Sequence, residues 1–74
     1  MLYRTGICLE TPELESKFFE WYNGNFVWSN STHIEKNNIG EYCYDVWFNA
    51  NSDNEAQDQI LCLQDIIFEL ASKT

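Results

Sequence analysis

EYCYDVWFNANSDNEAQDQILCLQDIIFELAS, residues 41–72, changes its apolar period midway, and that change decides the fold. Tyr42, Tyr44, Val46 and Phe48 alternate with more polar neighbours. Period two marks a strand with one face on a core. Ser52-Asp53-Asn54-Glu55 follows as a capping box, in which a serine oxygen accepts from the first helical amides. Beyond it Ala56, Ile60, Leu63, Ile67 and Leu70 recur at steps of 4, 3, 4 and 3. That stripe predicts an amphipathic helix over 53–72. A strand at 41–50 therefore leads into a long helix that packs on the same core.

Working outward, residues 26–35 are aromatic and β-branched and are expected to form the preceding strand. Asn37-Asn38-Ile39-Gly40 between the two reads as a hairpin turn, with Gly40 free to take positive φ. Cross-strand partners share a face, which selects Phe26, Trp28 and Ile34 as core partners. Residues 2–10 form a first strand, with Tyr3, Thr5, Ile7 and Leu9 on one side. Thr11-Pro12 then starts a helix, with Thr as N-cap, Pro at the first position and Glu13 and Glu15 in the first turn. Leu14, Phe18, Trp21 and Tyr22 share one face of it, and Asn23-Gly24 ends it.

The expected fold is α+β, β-α-β-β-α, in a single domain over residues 1–74. Strands 1 and 2 flank a helix and run parallel; strand 3 inserts between them, antiparallel to both, for order 1-3-2. Both helices then pack on one face. The arrangement resembles a ferredoxin-like fold truncated by its last strand. That resemblance is one of architecture and implies no function.

Charge excludes whole classes of role. Twelve acids against four cations give a net charge of −8. Arg4, Lys17, Lys36 and Lys73 are scattered one per segment, whereas a nucleic-acid or anionic-membrane binder clusters its cations. Direct nucleic acid and membrane are not expected partners; a basic protein is. Three cysteines, Cys8, Cys43 and Cys62, form neither a disulfide framework nor a zinc motif, and are read as small apolar residues. The start lacks the apolar stretch of a signal peptide, so a cytoplasmic location is expected. On that reading the acceptor pattern Asn30-Ser31-Thr32 goes unused.

Two surfaces stand out. The outer sheet face is expected to carry Arg4, Gly6, Cys8, Val27, Ser29, Ser31, His33, Cys43, Asp45 and Trp47. His33 and Cys43 invite a base and thiolate reading, and Cys8, His33 and Cys43 a zinc reading. Neither has the enclosed electropositive setting or paired spacing its chemistry needs. No catalytic residue, cofactor or metal is expected, and the chain is read as a non-enzyme. Trp47 and Val27 on an uncovered face, with Asp45 beside them, instead fit a contact, which a second copy could make.

The other surface is the outer face of the last helix, where Glu55, Asp58, Asp65 and Glu69 fall within an arc of about 80°. Leu61 and Phe68 line its edge. Helix N-terminal acids serve folding, but Asp65 and Glu69 lie near the negative end of the dipole. Their like-charge pairing costs about 0.2–0.5 kcal/mol, and the dipole a similar amount. Charge that folding disfavours, beside exposed apolar residues, fits a docking surface for a basic partner.

The expectation is therefore a small acidic inhibitor that occludes a nucleic-acid-binding protein. In size, acidity and lack of enzyme motifs it is similar to phage anti-CRISPR and host-takeover proteins. The alternatives are an immunity protein or antitoxin against a basic toxin, and a homodimer joined through the open sheet face.

Overall fold

A computed structural model describes residues 1–73. Strand β1 (Leu2–Cys8) leads to helix α1 (Pro12–Gly24), short helix α2 (Phe26–Ser31), strands β2 (Thr32–Lys36) and β3 (Cys43–Asn49), and helix α3 (Asp53–Ser72). The sheet order is β1-β3-β2, both pairings antiparallel. The expected α+β order and topology hold, with one helix added. Among the described residues no helix is long and apolar enough to cross a membrane.

Local chemistry explains the boundaries. Thr11 accepts from the Leu14 amide at 3.1 Å and Ser52 from the Glu55 amide at 3.2 Å, so both expected N-caps form. Between β1 and α1 the chain turns sharply. The Thr11 amide donates to the Leu9 carbonyl at 2.7 Å, and Glu10 between them has a φ of 65°. That is a γ-turn through a left-handed residue, costly for any side chain with a Cβ.

The expected strand over 26–35 is corrected. Its first half is α2, because Asn25 closes α1 and opens the next helix. The Asn25 amide donates to the Tyr22 carbonyl at 3.2 Å, while its side-chain oxygen accepts from the Trp28 amide at 3.3 Å. Phe26 is 73% exposed and is not a core residue. Trp28 and Ile34 do pack against the core. Ser31 and Thr32 hydroxyls donate back to the Val27 and Trp28 carbonyls, satisfying the last turn.

The hairpin turn is corrected as well. It spans residues 37–42, held by the Asn37 amide on the Cys43 carbonyl and the Asn37 side chain on the Ile39 amide. Lys36 Nζ donates to the Glu41 carbonyl across it. No glycine has positive φ. Gly40 is required for space instead: a Cβ there would sit 2.9 Å from Cys43 Sγ.

The core lies between the inner sheet face and helices α1 and α3. Ile7, Leu9, Leu14, Phe18, Val46 and Leu63 form its centre, with Phe48, Ala50 and Ala56 as a second cluster. Aromatic contacts extend it outward. Phe19 meets Tyr44 edge-on at 5.0 Å, and Trp21 meets Trp28 at 6.0 Å. The Tyr44 hydroxyl donates to Glu15 at 2.6 Å, and that bond pushes its pKa up to about 12.

Candidate functional site

Helix α3 presents its expected stripe to solvent. Glu55, Asp58, Asp65 and Glu69 are all exposed, Leu61 is 58% exposed and Phe68 75%. Asp53 is different, since it accepts from the Tyr3 hydroxyl at 2.7 Å and so helps dock α3 on β1. Among the described residues the one ion pair is His33 with Glu35, so no cation neutralises the stripe. Lys73 is the cation nearest to Asp65 and Glu69 in sequence. It instead borders a groove with Trp21 and Phe26, and its carbonyl accepts from Lys17 Nζ at 3.2 Å.

The outer sheet face holds Arg4, Gly6, Cys8, His33, Cys43, Asp45 and Trp47, as their register requires. Trp47 stands between register partners Arg4 and His33, with the His33 ring 5.7 Å away. Asp45 accepts from the Asn37 side chain at 2.9 Å. Val27, Ser29 and Ser31 do not belong to this face, because they lie on α2. Trp47 and Asp45 therefore share one surface and the α3 stripe forms another.

The cysteines are corrected. Cys8 and Cys43 are register partners on adjacent strands and form a disulfide across 35 residues. The Leu9 amide donates to the Tyr42 carbonyl at 2.9 Å, so the neighbouring Cys8–Cys43 pair is the close, non-hydrogen-bonded kind. A Cα separation of 4.1 Å agrees. Cys43 is thus no free thiolate, and His33 faces Glu35 at 3.0 Å. Cys62 is free and exposed. Among the described residues no three His, Cys, Asp or Glu side chains converge as metal ligands.

Two clefts were not foreseen. A groove of about 720 Å³ separates α1, α2 and the end of α3, and is bordered by Lys17, Lys73, Trp21, Phe26 and Val27. A second, of about 360 Å³, runs between β1 and the C-terminal half of α3. Gly6, Ile7 and Cys8 of β1 and Ile67 and Phe68 of α3 line it, with Glu10 and Leu14 also on its lining. Both arise from long-range packing, which no local period reports. Comparison with family models, curated proteins and solved structures finds no match to the chain.

Proposed function

We propose that this chain is a small inhibitor without catalytic activity that binds a basic, nucleic-acid-handling protein and blocks its phosphate-binding surface. One observation carries this reading: the α3 stripe is exposed and, among the described residues, has no cation paired with it. Carboxylates about 6 Å apart at i,i+4 and about 10.5 Å apart at i,i+7 suit lysine and arginine positions meant for phosphates. Leu61 and Phe68 beside them supply apolar anchors of the kind that hold an interface together. An anti-defence or host-takeover role and a toxin-neutralising role use the same surface.

The cytoplasmic location expected from the start of the chain and the cross-strand bridge point to different compartments. The Cys8–Cys43 bridge is a feature of oxidising compartments. The binding reading needs only the folded acidic face and applies in either compartment.

The test is affinity capture from the native host with two baits, the parent and Asp65→Lys/Glu69→Lys. Retention of a basic protein by the parent, lost with the variant, supports the reading. Identical captures on both baits would refute it.

A further inference from the structure

We infer that the groove between β1 and α3 takes an extended basic segment of the partner, added as a fourth strand to the edge of the sheet. This rests on the acidic-binder reading above and states how that partner is held. In the order β1-β3-β2 one long side of β1 faces no strand. Hydrogen bonds link Met1 to Ala50 and Leu9 to Tyr42, so alternation turns the odd residues of β1 toward β3. The amides and carbonyls of Leu2, Arg4, Gly6 and Cys8 therefore point to the free edge.

The two edges of the sheet differ. Five-residue β2 is short and carries consecutive charges at Glu35 and Lys36, which blunts an edge. Seven-residue β1 has Gly6 in its interior, and a Cβ there would meet nothing within 4 Å. That open space leaves the outer face beside Gly6 clear for the side chain of an added strand. Opposite this edge stand Ile67 and Phe68 of α3. An edge strand with a helix beside it is a geometry that accepts a peptide by main-chain hydrogen bonds, while pockets choose its side chains.

Charge selects the occupant. Glu10 lines the groove, and on α3 the acidic stripe begins just beyond the ridge of Phe68 and Leu61. Alternate side chains of an added strand point to opposite faces. Apolar ones on the helix side reach Phe68 and Ile67, and basic ones turn to the outer sheet face, where Gly6 leaves room to reach its register partner Asp45. A second copy of this chain, at −8, would be repelled from the same edge. The larger groove offers Lys17 and Lys73 and no strand edge, so it does not suit a basic segment.

The experiment titrates the isotope-labelled chain with an end-capped octapeptide of alternating lysine and valine at millimolar concentration. The expected result is slowed amide exchange at Arg4, Gly6 and Cys8, with contacts from peptide to Phe68. Gly6→Pro removes an outward amide and leaves the odd-residue ladder to β3 intact; Gly6→Ala keeps the amide. Pro should weaken binding about tenfold, the loss of one hydrogen bond, and Ala should not. Equal binding by Gly6→Pro, or no binding by the parent, would overturn the inference. Peptide shifts confined to Asp58, Asp65 and Glu69 would overturn it too, while leaving the acidic-binder reading in place. A peptide-free dimer with its β1 amides protected would give the edge to a second copy.

Discussion

Breaking the Cys8–Cys43 bridge should cost a large fraction of the stability of this domain. The bond joins residues 35 apart. Releasing a loop of that length returns about 3.8 kcal/mol of chain entropy to the unfolded state at room temperature. A chain of 74 residues has about 4–11 kcal/mol of stability in total. Reduction should therefore remove from a third of the stability to nearly all of it. The assay is urea unfolding in a Cys62→Ser background, which removes the exposed thiol that could reshuffle the bridge. Oxidised parent, reduced parent and Cys8→Ala/Cys43→Ala are compared. The last two should share a lower midpoint, and a steeper slope because the uncrosslinked unfolded chain exposes more surface. An unchanged midpoint after thiol counting proves the bridge open would refute the argument. So would finding Cys8 and Cys43 as free thiols in protein purified without reductant.

Further outcomes follow from single contacts. Leu63 is 3% exposed at the centre of the core, so Leu63→Ala should cost about 2–5 kcal/mol in the same denaturation assay. Glu10 occupies left-handed space, so Glu10→Gly should stabilise by about 0.5–1 kcal/mol, the relieved strain less the entropy of glycine. A melting curve that falls instead would mean that the γ-turn is not populated. Tyr44 keeps its proton in the folded state up to about 12, against an ordinary value of 10.0. The unfolded state thus loses that proton first, and stability should decline as pH rises from about 10 to about 12. Phenolate absorbance should show Tyr44 titrating late, alongside Tyr3, which its bond to Asp53 also raises, and Glu15→Gln should bring Tyr44 alone back toward the ordinary value.

Local signals carried the ends of this fold well and its middle poorly. Thr11 and Ser52 were legible as caps because a cap needs only neighbours in sequence. The 53–72 stripe and the alternation through Tyr42, Tyr44, Val46 and Phe48 were legible for the same reason. Residues 26–31 misled because aromatic and β-branched composition describes a half-buried strand and a short capped helix alike. Asn25 was the available signal, an N-cap one residue after a helix-ending glycine. The bridge was missed for another reason. Cys8 and Cys43 were placed on one face of adjoining strands, yet their number and spacing were given more weight than that placement. Exposure of the α3 acids, Leu61 and Phe68 was legible from helical angle alone. The isolation of that stripe from Lys73 and the groove beside β1 depend on how α3 lies against the rest of the molecule.

The central claim is that the α3 carboxylates hold a basic partner. Asp65→Lys/Glu69→Lys removes charges that the isolated helix disfavours, so its melting temperature should match or exceed that of the parent. The decisive measurement is the affinity of parent and variant for the captured basic protein at low and at high salt. The parent should bind tightly at low salt and lose affinity as salt rises; the variant should bind weakly and respond little. A variant that melts normally and binds as tightly as the parent at both salts would contradict the account.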